Sequence, residues 1–438
     1  MRPWRSLQMV TPFGWQRELY GGFVKTEASP DDRNLKINKS VLDLSSFEGF
    51  GMDLKDLSDV SIDGLSIIGA KDEGGVNVSG SNLDLRNLEI FQNAYYSIYI
   101  NSSNVDITNS LFQSNKYNIV TGGQGSIKVT DSSFIDNHSP FAVNNNACTI
   151  LGCKFIKNRS PMWICEAVAT IDDCEFVQND PAASNFYYDS GGGAILCNST
   201  VGSTRITKTK FICNTAYRGG AISASAGDGC DMGPIEFSQC IFAGNTATTS
   251  GGAIGGYSRY TYPGAGYGAE DNHLDSLADN DRKMILRNCL LSGNVAYMAA
   301  AAQLEGFESV FHSCTMADNH TAIEATTSGE RGNINVVGVY GKDAYGRDLT
   351  YPAPISMRNS IMANNHGGGV WWDNYMFEGQ SLLLKDLFWG QTQLNTNGDS
   401  ELGVQSPVLE EPRFISGAAG TWATSGQFSL KSNRTTIQ

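Results

Sequence analysis

The chain has 438 residues and a formal net charge of −14, with 48 glycines, 12 prolines and only 17% charged residues. Nucleic acids and anionic membranes are bound by Lys/Arg stripes that such an acidic chain lacks, so both are excluded as partners. The chain contains no run of 18 apolar residues, so no membrane-spanning helix is predicted. Because 41% of the residues are hydrophobic, the chain is also not disordered, and its Gly- and Asn-rich character indicates a turn-rich β protein.

The N-terminal segment carries three arginines but no apolar stretch of the kind that forms the centre of a signal peptide. We therefore expect residues 1–18 to be a truncated or non-native leader. Residues 19–432 are predicted to form one continuous domain, and residues 433–438 a short tail.

The main part of the chain repeats a large apolar residue, two variable residues and an asparagine. The first five asparagines are spaced by 22, 22, 21 and 21 residues. A helical repeat needs about 33 to 47 residues, so this period indicates one coil of short strands and tight turns. The ten copies are Ile90/Asn93, Phe112/Asn115, Phe134/Asn137, Phe155/Asn158, Phe176/Asn179, Phe211/Asn214, Phe242/Asn245, Leu291/Asn294, Met316/Asn319 and Met362/Asn365.

Small or apolar residues also recur five and eight positions before each asparagine, and we predict that both columns point inward. Stacked coils about 4.8 Å apart would place phenylalanine on phenylalanine and asparagine on asparagine as structural ladders. Five cysteines occupy the column at −5 and are interpreted as small buried hydrophobic residues. The chain contains no Cys-x-x-Cys pair, so no zinc site is predicted. The five are Cys153, Cys174, Cys240, Cys289 and Cys314.

These patterns predict an all-β fold, a right-handed parallel β-helix forming a solenoid of about 12 to 15 coils. Later asparagines are spaced by 35, 31, 49, 25 and 46 residues, which indicates insertions that project from the coils. The longest insertion is expected around residues 255–283.

A glycine motif joins the repeat in the middle of the chain, at Gly191–Ile195, Gly219–Ile222 and Gly251–Ile254. Glycine pairs permit sharp corners and close backbone approach between strands. The alternation of Gly-Gly-Ala-Ile with Phe-x-x-Asn resembles the repeats of polymorphic outer membrane proteins, and is similar to bacterial parallel β-helix repeat proteins. Leu19–Phe23 and Ser406–Leu409 resemble the opening and closing segments of that family. The resemblance implies a secreted or cell-surface bacterial protein; some relatives are polysaccharide lyases.

Aromatic residues supply the candidate ligand-binding positions. Tyrosines cluster in the Gly-rich insertion, and two tryptophans follow three glycines in a later coil. Exposed aromatic faces can stack on sugar rings, whereas aromatics that cover the solenoid flank would be structural. The candidates are Tyr257, Tyr260, Tyr262, Tyr267, Trp371 and Trp372.

Acidic residues in the same insertion are candidate metal ligands, and Glu270, Asp271 and Asp275 would hold calcium through their carboxylates. In a lyase, Arg282 or Lys283 would then remove the proton. The simpler interpretation is a solvated acidic loop, and no cofactor is expected. Polyanion binding by an acidic chain requires local positive charge or bridging calcium.

The corner histidines His138, His320 and His366 are interpreted as solvated residues.

Three functions remain open. The leading hypothesis is an extracellular or cell-surface scaffold that resembles an adhesin and binds polysaccharide or a surface glycan without catalysis. The alternative is a polysaccharide lyase or glycoside hydrolase, which would project Asp/Glu and Lys/Arg from adjacent coils into one groove; its catalytic residues are not identified. The third is a structural stalk of a larger exported protein. Oligomeric state is not indicated.

Overall fold

The computed structural model of the protein describes residues 7–8, 17–22, 29–181, 191–198, 202–226, 232–258, 282–322, 333–337, 339–342, 348–351, 354–366, 370–373, 382–384 and 387–389. Strands are numbered in chain order below. Within this part of the chain the only helical segment is a 3-10 turn at Pro30–Asp32.

Three long sheets, A, B and C, run the length of the described chain, and every strand pairing within them is parallel. Sheet A consists of β1 (Leu7–Gln8), β4 (Phe50–Lys55), β7 (Gly74–Ser79), β10 (Tyr96–Asn101), β13 (Tyr117–Gly122), β16 (Ser139–Asn144), β19 (Met162–Cys165), β22 (Ile195–Asn198), β26 (Ile222–Ala226), β30 (Ile254–Ser258), β34 (Ala302–Glu305), β38 (Ile334–Val337) and β43 (Val370–Asp373).

Sheets B and C repeat the same order on the other two sides of each coil. Sheet B consists of β2 (Arg17–Tyr20), β5 (Val60–Asp63), β8 (Asn82–Arg86), β11 (Asn104–Thr108), β14 (Ser126–Thr130), β17 (Ala147–Leu151), β20 (Val168–Asp172), β23 (Thr204–Thr207), β27 (Ile235–Ser238), β31 (Lys283–Arg287), β35 (Glu308–His312), β41 (Ile355–Arg358) and β44 (Leu382–Leu384). Sheet C consists of β3 (Ser40–Asp43), β6 (Leu65–Ile68), β9 (Glu89–Phe91), β12 (Leu111–Gln113), β15 (Ser133–Ile135), β18 (Lys154–Ile156), β21 (Glu175–Val177), β24 (Lys210–Ile212), β28 (Ile241–Ala243), β32 (Leu290–Ser292), β36 (Thr315–Ala317), β42 (Ile361–Ala363) and β45 (Leu387–Trp389).

Thirteen strands per sheet in the described part of the chain make this a parallel β-helix of the predicted size. Two strands include predicted leader residues: β1 pairs with β4, and β2 pairs with β5. The predicted insertion lies between β30 and β31, and residues 259–281 lie outside the described residues.

The later coils contain an extra side. Sheet D consists of β25 (Thr215–Arg218), β29 (Thr246–Ser250), β33 (Val295–Met298) and β37 (His320–Thr321), and a separate antiparallel hairpin joins β39 (Val339–Lys342) to β40 (Asp348–Tyr351).

The interior is a stack of identical side chains. Rings of consecutive phenylalanines are nearly parallel, with centroids 4.7 Å apart between Phe134 and Phe155 and 4.5 Å between Phe155 and Phe176. All three are at most 1% exposed. Each coil therefore buries one aromatic ring against the next, and dispersion and hydrophobic burial act along the whole axis.

The asparagine column forms a hydrogen-bonded ladder at the corner after sheet C. Asn137 illustrates the pattern: its Oδ1 accepts from the backbone N–H of Asn115 at 3.0 Å, and its Nδ2 donates to Asn158 Oδ1 at 3.0 Å. Nδ2 also donates to the carbonyl of Phe112 at 3.0 Å. Both ends of the buried amide are thus satisfied, which a buried polar group requires. The same links continue from Asn93 to Asn365 across every insertion.

Two left-handed backbone positions in each coil produce the bends around sheet C. They lie six residues and one residue before the ladder asparagine, as at Asn87 (φ 50°) and Gln92 (φ 54°). Asn and Asp tolerate this conformation better than bulkier residues, which explains why Asn109 and Asp131 also occupy the first bend.

Candidate functional site

The structure overturns the expectation that Tyr257 is exposed for sugar stacking. Tyr257 is 6% exposed, and its ring folds back over Gly255, where a Cβ atom would approach the ring to 2.5 Å. Its hydroxyl donates to the carbonyl of Ser250 at 3.1 Å, and the Arg218 guanidinium lies 4.8 Å from the ring centroid. Burial raises the pKa of the phenol, which therefore stays protonated as a hydrogen-bond donor.

Buried polar side chains continue along the outer face of sheet A in the later coils. Asn335 Nδ2 donates to Gln303 Oε1 at 2.7 Å, and Gln303 Nε2 donates to Glu305 Oε1 at 3.2 Å. Asn335 and Gln303 are both buried although they point away from the solenoid interior. Among these described residues, the outer face of sheet A therefore carries buried amide side chains and no exposed aromatic ring.

Most other candidates cannot be placed. Tyr260, Tyr262, Tyr267, Glu270, Asp271 and Asp275 lie outside the described residues. Trp371 and Trp372 lie on β43, paired with Asn335 and Val336 of β38, but their side chains are not described. Arg282 is buried, whereas Lys283 forms an ion pair with Glu308 at 3.2 Å.

The corner cysteines have a polar role that the sequence interpretation missed. The Cys174 thiol lies 3.4 Å from the backbone N–H of Cys153 and accepts its hydrogen, as Ser132 Oγ does for Ser110. The thiol and the hydroxyl therefore occupy the same position in their coils, and each accepts a hydrogen bond from a backbone N–H at the bend. Inward thiols elsewhere are inert, because burial raises the pKa of Cys148 and of Cys197 to about 12.

An aromatic strip of exposed and half-buried rings lies on the outer face of sheet A in the regular coils. We define the strip by Tyr95, Tyr96, Tyr99, Tyr117 and Trp163. Ring centroids lie 4.4 Å apart between Tyr95 and Tyr96, 5.5 Å between Tyr96 and Tyr99, and 5.7 Å between Tyr96 and Tyr117. Tyr95 is 37% exposed and Trp163 40% exposed.

The register of sheet A aligns the strip along the solenoid axis. Tyr99 pairs with Val120, the β13 strand pairs with β16, and Ala142 of β16 pairs with Trp163. Three strand spacings separate Tyr99 from Trp163, about 14 Å at 4.8 Å per strand. Val120 and Ala142 form an apolar floor between them, so the strip spans four coils.

A recognisable sequence signal existed for this strip. Tyr95, Tyr96 and Tyr117 follow their ladder asparagines by two or three positions, and Trp163 follows Asn158 by five. Their closeness to the ladder asparagines indicates the start of sheet A, but the offsets are both even and odd, so strand alternation alone does not assign them all to the outer face. These aromatics lie in the regular coils, outside the insertion and the later coil that supplied the predicted ligand-binding residues.

A shallow cleft of about 420 Å³ lies on the outer face of sheet B in the first coils. Tyr20 donates to Glu18 at 2.6 Å, and this hydrogen bond raises the pKa of the phenol. Arg86 Nε donates to Asp84 Oδ2 at 2.8 Å. Acidic and basic side chains thus project together from adjacent coils. The remaining polar residues of the cleft are Asp59, Ser61, Asp63, Asn82, Asn104 and Asp106.

His138, His320 and His366 directly follow ladder asparagines at corners, as the sequence indicates, whereas His312 is the last residue of β35. The rings of His320 and His366 stack with centroids 4.3 Å apart, and His366 Nδ1 lies 3.2 Å from the carbonyl of Thr321. Across the described residues, no group of three or more His, Cys, Asp or Glu side chains is arranged to hold a metal ion.

Comparison with known proteins identifies the solenoid type. The model of the right-handed β-helix region matches residues 49–201. The chain folds as a right-handed parallel β-helix. The repeat of the Chlamydia polymorphic membrane proteins matches residues 239–257 of this β-helix, which contain the third glycine motif. The resemblance to those repeats is therefore confirmed.

Other comparisons add little about this β-helix. No curated protein matches it. A solved structure of the alginate lyase AlyF-OU02 in complex with G6 is similar over 90% of this chain and 81% of its own, with 10% identity and a TM-score of 0.22, too low to carry an argument. In the part of the chain that the structure describes, no helix has the length and apolarity needed to cross a membrane.

Proposed function

We propose that this β-helix is a non-catalytic scaffold, secreted or displayed on a bacterial surface, that binds an extended carbohydrate chain along the aromatic strip. The supporting observation is that tyrosine and tryptophan rings lie at least partly exposed on three of four consecutive coils. Soluble proteins rarely leave contiguous aromatic surface uncovered without a partner. The resemblance to polymorphic membrane protein repeats supports the proposed location.

The dimensions of the strip favour a polymer over a single sugar. Its length of about 14 Å follows the solenoid axis. Aromatic rings at both ends offer apolar faces, and tyrosine hydroxyls offer hydrogen bonds to sugar hydroxyls. A linear chain could contact both ends at once, so its affinity would depend on its length.

Binding to a panel of soluble polysaccharides, measured by affinity electrophoresis and calorimetry, tests the proposal. We expect Tyr117→Ala or Trp163→Ala to weaken binding about tenfold, equivalent to about 1.4 kcal/mol. The matched control is Tyr297→Ala, which removes a 53% exposed tyrosine from sheet D. Unchanged affinity in both strip variants, with their thermal unfolding also unchanged, would refute this binding site.

A second candidate function, turnover of a carbohydrate polymer, is supported by the cleft on sheet B. It holds several carboxylates together with Arg86 and the hydroxyl of Tyr20, which are residue types that lyases and hydrolases use. The test follows unsaturated products and reducing ends with calcium and with chelator. Turnover that is lost in Asp84→Asn but retained in Trp163→Ala would assign catalysis to this cleft. If the protein neither binds nor cleaves any polymer, the structural stalk is the remaining hypothesis.

A further inference from the structure

A short column of basic residues borders the aromatic strip. Lys116, His138 and Arg159 each directly follow a ladder asparagine. The backbone N–H of His138 donates to Asn115 at 2.8 Å, and that of Arg159 donates to Asn137 at 2.8 Å. The asparagine ladder therefore places one basic residue per coil on the same edge, about 4.8 Å apart.

Two of these residues, Lys116 and His138, lie beside a tyrosine of the strip. Lys116 Nζ lies 5.3 Å from the ring centroid of Tyr117, within the range of a cation–π interaction. The His138 ring lies edge-on to Tyr117, with centroids 6.3 Å apart. A chain lying on the tyrosine ring would therefore have cationic groups directly beside it.

The local charge is opposite in sign to that of the whole protein, which carries −14. Burial lowers the pKa of His138, and the positive charges of Lys116 and Arg159 lower it further. Asp136 lies 3.7 Å from Arg159, and Asp180 occupies the next coil of the same column. At neutral pH the positive charges of this edge are thus those of Lys116 and Arg159, with His138 as a neutral donor between them, and Lys116 lies at the end away from these carboxylates.

We propose that the carbohydrate bound along the aromatic strip is anionic and that its carboxylate or sulfate groups lie against Lys116, His138 and Arg159. This inference rests on the proposed binding function and specifies its ligand class. It also removes a difficulty raised by the acidic composition, because the positive charge that a polyanion requires is local. Exposed cations attract such groups most strongly at low ionic strength.

Matched polymers separate charge from backbone structure. Polygalacturonate is compared with its fully methyl-esterified form, and dextran sulfate with dextran. We expect at least one anionic polymer to bind about tenfold more tightly than its neutral partner at about 0.05 M salt, with most of the advantage lost at about 0.5 M. Which pair shows the difference distinguishes carboxylate from sulfate.

The double variant Lys116→Gln/Arg159→Gln tests the location. We expect it to lose most of the preference for the anionic polymer while keeping its affinity for the neutral one. The control is Lys128→Gln/Lys154→Gln, which removes the same charge from exposed positions on sheets B and C. An equal loss in both double variants would overturn the inference, because it would indicate a general charge effect.

The remaining outcomes separate the two proposals. If charged and neutral polymers bind equally and Trp163→Ala weakens both, the ligand class is wrong and the strip remains a binding site. If no polymer binds, the proposed function itself fails, and this inference fails with it.

Discussion

The regular coils between residues 74 and 179 and the insertion-bearing coils between residues 191 and 366 share one interior but differ in their outer surfaces. Phenylalanine rings stack across the boundary, with Phe176 and Phe211 5.1 Å apart. The asparagine ladder crosses it as well, since Asn179 N–H donates to Asn214 Oδ1 at 3.0 Å. The outer face of sheet A changes from exposed aromatics to buried polar groups.

The difference shows that core and surface are specified separately. A coil needs its apolar and asparagine columns to stack on its neighbours, whatever chain length lies between them. Sheet D widens the later coils, and Gly-Gly corners return the chain to sheet A. Insertions therefore alter the outside of the solenoid without interrupting the ladders.

The largest expected effect is the loss of one stacked ring. Phe155→Ala in the regular coils and Phe211→Ala in the later coils should each destabilise the protein by about 3–5 kcal/mol, since each removes a buried ring that stacks on two others. Chemical unfolding measures both. Similar losses would support one continuous core, whereas a much smaller loss for Phe211→Ala would indicate two separate cores.

Removing a ladder amide should cost about 3 kcal/mol, because it leaves buried backbone groups unsatisfied. Asn137→Ala deprives the Asn115 N–H of its acceptor, and Asn245→Ala does the same to Asn214. Urea unfolding of the two variants compares the regions. The control Asn104→Ala removes an exposed asparagine that donates to Asn82, and its stability should change by less than about 0.5 kcal/mol.

Glycine should matter more at the corners of the later coils than within a regular strand. A Cβ at Gly220 would lie 2.1 Å from the carbonyl oxygen of Gly252, whereas one at Gly122 would meet only Tyr99 Oη at 3.8 Å. Gly220→Ala should therefore lower stability by about 1–3 kcal/mol through overpacking. Thermal unfolding of Gly122→Ala gives the reference, and equal behaviour would contradict the steric argument.

The smallest effect concerns pH in the regular coils. Burial and the charges of Lys116 and Arg159 hold the pKa of His138 below its ordinary value, so the unfolded chain binds its proton first as pH falls. This residue should therefore reduce stability as pH falls below about 6.5 and have no effect well above it. His138→Gln should flatten that part of the profile of unfolding midpoint against pH, and an unchanged slope would assign it to other groups.

The fold was accessible from the sequence because its signal is local and repeated. One period near 22 residues places the same residue types at the same position of every coil. For this reason Phe155 could be assigned to the interior and Asn137 to a hydrogen-bonded ladder at a turn. The polar role of Cys174 was not accessible, since the pattern shows a small residue but not the backbone N–H that its thiol meets.

The candidate site depended on information that the repeat does not contain. Tyr257 and Tyr117 are both tyrosines near a turn, yet one is buried over Gly255 and the other lies on an open face. Their exposure depends on where each strand faces and on what covers it.

The sequence by itself determined the solenoid, its period and its two ladders, because stacking requires only matching columns in neighbouring coils. Tertiary structure decided which outward side chains meet. Tyr99 and Trp163 are 64 positions apart in the chain, and only the parallel register of sheet A aligns them. The asparagine ladder already assigns Lys116 and Arg159 to one edge, but only the folded structure shows that Lys116 lies beside the ring of Tyr117.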